Sequence, residues 1–333
     1  MSRKSDPVLR MMLIPPVWVL VLATSLSAQS ERHFAFHYGF TVKGLSPEEK
    51  VQIWFPAAHS EPFQEVKILS AKGDLPLKKT HESTYGNEMY YASASKEKAP
   101  ELEFEVVYEV VRHEHLTLGI YSPHLEDLSL SPKERKQYLS ADALVPTTGL
   151  PAEWAATAIE GETTPLDKAR AMYDYLLANL RYDETGTGWG RGDVLYACNA
   201  KKGNCTDFHS LFIAMARSQG IPARFEMGFS LPARSHLGEI AAYDCWAEFF
   251  EPQHGWMPVD ISEASKYPEK KDYFFGALDT NRVQFTLGRD LELNPRQAGH
   301  ALNYFIYPYV EVQGKEYSNV SLKFSFSDLP VAP

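Results

Sequence analysis

Three residues spread along the chain, Cys205, Asp244 and Asp260, have the types needed for thiol chemistry. A cysteine attacks a carbonyl as its thiolate, and neighbouring acid–base groups must manage the proton and the leaving group. Cys205 opens a run in which Cys205, Phe208, Phe212, Met215 and Gln219 recur at spacings of 3, 4, 3 and 4. That period predicts an amphipathic helix with the thiol on its inward face and Asn204 as the N-cap. The first turn of such a helix presents unpaired amides and the positive end of its dipole, which favour an anion. A buried structural cysteine reads equally well from the helix alone.

The elements that must position the partners follow at once. Gly220-Ile221-Pro222 ends the helix, residues 224–230 read as a strand, and DCWAEFFEPQHGWMPVD reads as a hairpin. With Glu251-Pro252-Gln253 as its turn, Phe250 pairs with His254 and Asp244 stands opposite Asp260. Directly opposed side chains have β-carbons about 4.5–5.5 Å apart. The two carboxyls then form a like-charge pair, in which one holds its proton to higher pH than usual. Strand alternation turns Cys245 to the other face, as a packing residue. His209, one helical turn after Cys205, is the best placed of the nearby histidines, ahead of His236 and His254. A metal site built from Cys205, His209, Asp244 and Asp260 lacks any recognised ligand spacing, so neither metal nor cofactor is expected.

The combination of GNCTDFHSLFIAMARSQGIPARFEMGF, DCWAEFF and GWMPVD resembles the transglutaminase-like superfamily, whose fold is related to papain-type cysteine peptidases. The resemblance covers about residues 160–265. It implies a Cys-His-Asp triad that attacks a carboxamide or peptide carbonyl through a thioester. Carried over by position, Cys205 is the nucleophile and Asp260 the orienting carboxylate, while Asp244 stands where the family places its general-base histidine. Trp246 and Trp256 also match, mainly as core residues. An ionised Asp244 repels a thiolate and raises the thiol pKa, so the acyl-transfer activity implied by the family is expected to be impaired. The alternative is a catalytically silent protein that binds peptides or a surface partner through the same cleft.

The rest of the chain sets limits on these readings. Its 333 residues and 44% hydrophobic content support about two domains and a large core. A net charge of -10 argues against a nucleic-acid partner. Arg3, Lys4 and Arg10 precede an apolar run over residues 11–26 and the small residues Ser25, Ser27 and Ala28, the pattern of a secretory signal peptide. Pro15 and Pro16 interrupt the run and count against an uncleaved anchor. The expected protein is exported, periplasmic or extracellular, free of the membrane after cleavage, with a peptide or protein substrate. Only three cysteines occur, too few for a disulfide scaffold.

The expected fold class is α+β. A signal peptide over 1–28 precedes a β-sandwich-like unit over 29–125, where Phe34, Phe36, Tyr38, Phe40 and Val42 alternate as in a strand. A transglutaminase-like, cysteine-peptidase-like core follows over 126–270. Within it, Ser131-Pro132 opens a short helix, Thr164-Pro165 caps another, and the glycine-rich stretch over 184–193 forms a surface loop beside the site. A β-rich extension over 271–333 contains strand-like runs at 282–287, 302–312 and 320–326.

Overall fold

The computed structural model describes residues 30–97, 99–118 and 128–330; the signal-like segment lies outside them. Six strands come first, β1 (Glu31–Lys43), β2 (Glu49–Pro56), β3 (Gln64–Gly73), β4 (Lys78–His81), β5 (Glu88–Glu97) and β6 (Glu101–His113), followed by the short β7 (His115–Leu116). Helices α1 (Pro132–Leu139), α2 (Leu150–Ala158) and α3 (Pro165–Asn179) come next. Then β8 (Arg181–Tyr182), α4 (Val194–Ala200) and β9 (Lys202–Gly203) lead into α5 (Cys205–Ser218). The remainder is β10 (Ala223–Ser230), β11 (Leu237–Ile240), β12 (Asp244–Glu251), β13 (Gly255–Val259), α6 (Ile261–Lys266), β14 (Ala277–Leu278), β15 (Arg282–Leu287), β16 (Tyr309–Val312), β17 (Lys315–Glu316) and β18 (Val320–Asp328).

The N-terminal strands build two five-stranded sheets, in the orders β11-β18-β1-β6-β3 and β17-β16-β2-β5-β4. Alternating side chains of β1 and β6 turn inward, and the Phe40 and Phe55 rings join the two sheets at 5.0 Å. Strands β16 and β18 come from the far end of the chain, pairing antiparallel with β2 and β1 respectively. The two ends of the sequence therefore share one core. A third sheet, β13-β12-β10-β15, carries the site, and Phe229 and Phe285 from it pack on Phe36 and Tyr38 of β1.

Helices begin where the sequence predicts them. Ser131 and Thr164 cap α1 and α3 through their hydroxyls, each with proline in the first turn. The apolar run at 302–312 is different, because only its last four residues form a strand. Residues 302–308 cross the core sheet as an irregular strap, with the Tyr304 hydroxyl donating to the Gly190 carbonyl at 3.2 Å and the Tyr307 hydroxyl accepting the Tyr243 N–H at 3.2 Å. Apolar content reported burial there, and the polar ends of the rings set an irregular path.

Helix α5 is covered on both faces, with every residue from Cys205 to Arg217 buried, so its polar side does not meet solvent. Helices α2, α3 and α4 cover one side and β10 and β12 the other. Its polar residues are internal brackets: Thr206 to the Tyr243 hydroxyl at 2.7 Å, Asp207 to the Gly190 and Gly192 amides at 2.7 and 2.9 Å, and Arg217 to Asp142 at 2.7 Å. Each buried polar group thereby keeps the partner that burial demands.

Candidate active site

Cys205 occupies the first position of α5. Asn204 caps the helix, its Oδ1 accepting the Thr206 N–H at 3.0 Å, and Asp207 reaches back to accept the Asn204 N–H at 3.0 Å. This reciprocal box fixes the thiol at the helix mouth, where it is 4% exposed on the wall of a cavity of about 570 Å³. Tyr182, Trp189, Tyr243, Asp244, Glu263 and Lys266 share that wall. A hydrogen bond from the Cys245 thiol lowers the Cys205 pKa, but burial and the negative charges of Asp244 and Asp260 outweigh it and leave the thiol above its ordinary range. The helix terminus alone does not make this cysteine a thiolate.

Asp244 lies at the start of β12, 6% exposed. Its Oδ2 accepts the Ser230 hydroxyl and its Oδ1 the Cys245 N–H at 2.9 Å. Burial, then repulsion from Asp260, push its carboxyl above the usual range, against the pull of Arg282, Ser230 and Lys266. Burial acts on Asp260 in the same direction, but Arg282 and His209, with hydrogen bonds from Glu263 N–H and Ser262, outweigh it and bring Asp260 below its ordinary value. Of the two carboxyls, Asp244 is the one that keeps a proton to higher pH.

The pair is not directly opposed across the hairpin. Ala247 pairs with Val259 and Glu251 with Gly255, so Asp260 falls opposite Trp246. The cause is a turn of the expected length that starts one residue later. Pro252, Gln253 and His254 connect the strands, the His254 N–H donates to the Glu251 carbonyl at 3.1 Å, and Gly255 takes a φ of 79°. That left-handed residue after a three-residue loop moves the register by two. A shift of two preserves which face each side chain occupies.

Arg282 of β15 supplies the charge that Asp260 pairs with. Its Nη1 donates to Asp260 Oδ2 at 3.1 Å, and its guanidinium lies 5.0 Å from the centre of the Trp246 ring. Asp260 Oδ1 accepts the Ser262 hydroxyl at 2.9 Å and the Glu263 N–H at 3.0 Å, capping α6. His209 Nε2 lies 3.6 Å from the same carboxylate but accepts the Ile261 N–H at 3.0 Å. That nitrogen is therefore unprotonated, and burial pushes the ring down to about 4, against the pull of Asp260. The other nitrogen, Nδ1, sits 3.7 Å from Cys245 Sγ. His209 thus spends both nitrogens on structure rather than facing Cys205 as a base.

Several cavity residues escaped the sequence reading. The glycine-rich loop does not merely neighbour the site: Glu184, Trp189, Gly190 and Arg191 line it. Asp207 holds the loop by its amides, and Gly192, at a φ of 62°, leaves no room for a β-carbon beside Arg289 and Ser210. Tyr304 and Lys266 line the cavity from two later segments, and Arg282 reaches Asp260 from a third. The aromatic richness of the 302–309 stretch was visible as a burial signal, whereas nothing near Lys266 or Arg282 in sequence marks them. Strand alternation places Cys245 away from the Trp246 face, as expected, but that side carries α5, so its thiol meets Cys205.

The chain was compared with known proteins. The transglutaminase-like superfamily profile matches residues 152–261, a span that takes in Cys205, Asp244 and Asp260. An uncharacterized protein of Haemophilus influenzae is 30% identical over 302 residues, covering 80% of this chain and 81% of the relative. Residues 152–261 of the chain form a transglutaminase-like superfamily domain. Uncharacterized protein YebA of Bacillus subtilis is 27% identical over 116 residues, which is 31% of this chain and 16% of that protein. A solved structure from Cytophaga hutchinsonii, described as a candidate cysteine protease, covers 90% of this chain and 98% of its own at a TM-score of 0.57 and 15% identity. That likeness concerns the fold. The transglutaminase-like fold supports a thiol-based acyl-transfer or protease-like family.

Proposed function

We propose that this is an exported transglutaminase-like protein whose thiol chemistry at Cys205, on an amide or peptide bond of a peptide or protein substrate, is impaired by Asp244. In this reading Cys205 is the nucleophile and Asp260 the residual orienting carboxylate. One observation carries it: the negative charges of Asp244 and Asp260 raise the Cys205 thiol, and the His209 ring is engaged elsewhere. A general base must take the thiol proton and later return it to the leaving amine. A protonated Asp244 takes none, and an ionised Asp244 disfavours the thiolate. Export is supported by the basic and apolar pattern of residues 3–28.

The test is Asp244→His. It is expected to raise the rate of Cys205 alkylation by iodoacetamide near neutral pH, and amide hydrolysis with it, at least tenfold. Turnover by the unaltered protein that falls on this substitution would sink the reading of impaired catalysis.

The aromatic wall favours a second reading, a catalytically silent binder. Tyr182, Trp189, Tyr243 and Tyr304 give the cavity flat apolar faces beside polar groups, suited to an extended peptide. Peptide binding unchanged by Cys205→Ala, together with no hydrolysis by Asp244→His, would favour this reading.

A further inference from the structure

We propose that Cys205 and Cys245 are a disulfide-forming pair, closed when a hydroperoxide enters the cavity and oxidises Cys205. The inference goes beyond the proposed acyl chemistry and does not require it.

The geometry rests on α5 and β12, which run side by side in the same direction. Phe212, seven residues after Cys205, meets Phe249, four residues after Cys245, at a ring separation of 6.1 Å. Seven helical residues advance about 10 Å and four strand residues about 13 Å, so the two cysteines sit at one level at the N-terminal ends of their elements. Thr206 Oγ1 and His209 Nδ1, each 3.7 Å from Cys245 Sγ, place it against the first turn of α5, where Cys205 stands. Each of the two thiols shifts the titration of the other.

Access to the two thiols differs. Cys205 opens on the cavity, whereas Cys245 is fully buried behind it. A small oxidant therefore meets Cys205 first, and the sulfur of Cys205 is what Cys245 can reach. Cys198 lies apart on α4, where burial pushes its thiol up to about 11.

The chemistry balances with hydroperoxide as the oxidant. Cys205 reacts through the fraction that has lost its proton: its sulfur attacks the peroxide oxygen, an S–O bond forms, the O–O bond breaks, and the departing hydroxide takes up the thiol proton as water, giving a sulfenic acid. The Cys245 sulfur then attacks the Cys205 sulfur, the S–S bond forms, the S–O bond breaks, and the oxygen departs as water with the Cys245 proton. Two thiols lose two electrons and two protons, and hydrogen peroxide becomes two waters. The disulfide blocks Cys205 until a dithiol reduces it.

The test treats the folded full-length protein with hydrogen peroxide, alkylates free thiols in denaturant and digests without reduction. Mass spectrometry is expected to find the Cys205 and Cys245 peptides joined, two hydrogens lighter than their sum, with Cys198 alkylated. In Cys245→Ser, Cys205 sulfenic acid trapped by dimedone is expected to rise several-fold over the unaltered protein. Oxidised wild-type protein in which Cys205 accumulates as sulfinic acid while Cys245 remains alkylatable would overturn the proposal. So would two free thiols in the folded protein at a peroxide dose that oxidises the thiols of the urea-unfolded protein. These readings use no amide substrate, so they stand or fall separately from the Asp244→His result.

Discussion

Arg282 donates to Asp260 at 3.1 Å with both side chains buried, and so gives that carboxylate its counter-charge. The pairing makes Asp260 a buried structural anion. Removing one member of a buried pair strands the other without its counter-charge.

Arg282→Met is therefore expected to destabilise the fold by about 3–5 kcal/mol. Pairing it with Asp260→Asn should recover a large part of that loss. Urea denaturation of both single variants and the double variant checks this. Additive losses would show that the two charges do not act as a pair.

Stability is expected to fall on acidification between pH 6.5 and 4 through His209. Its folded value of about 4 lies below that of a free imidazole, near 6.5. The unfolded chain binds the proton first as pH drops, so the stabilising contribution is complete above about 6.5 and lost by about 4. The shift corresponds to about 3 kcal/mol. His115, also pushed down to about 4 by burial, adds a similar amount. His209→Gln should flatten part of the slope in pH-dependent denaturation, and an unchanged slope would refute the assignment.

Asp244→Asn is expected to act in the opposite pH range. Because the folded carboxyl holds its proton above the ordinary aspartate value, wild-type stability declines as pH rises from that value through the raised one. The Asn variant lacks this decline. It should be more stable than wild type at neutral pH and show no comparable advantage below the aspartate range. Its Cys205 should also ionise at lower pH, read from the pH profile of iodoacetamide labelling.

Asp207→Ala should cost about 2–4 kcal/mol, because three buried amides, of Gly190, Gly192 and Asn204, lose a charged acceptor. Hydrogen exchange at Gly190 and Gly192 is expected to accelerate with it. Protection at wild-type level would show that the loop is held by other contacts.

By itself the sequence determined the scaffold. The helix behind Asn204, the caps at Ser131 and Thr164, the alternating strands β1 and β6 and the family motifs are local patterns, because caps and periodicity act over a few residues. Cys205, Asp244 and Asp260 were also legible, since each lies in a short motif. The tertiary structure decided what surrounds them. A three-residue loop followed by the left-handed Gly255 moved the hairpin register, a property of backbone dihedrals that EPQHG does not announce. Arg282 reaches Asp260 from 22 residues away, and Cys245 reaches Cys205 because α5 covers that face of β12. Alternation states which residues share a face, but long-range packing chooses what covers it. The charge on Asp260, the proton on Asp244 and the contact between two thiols all follow from that choice.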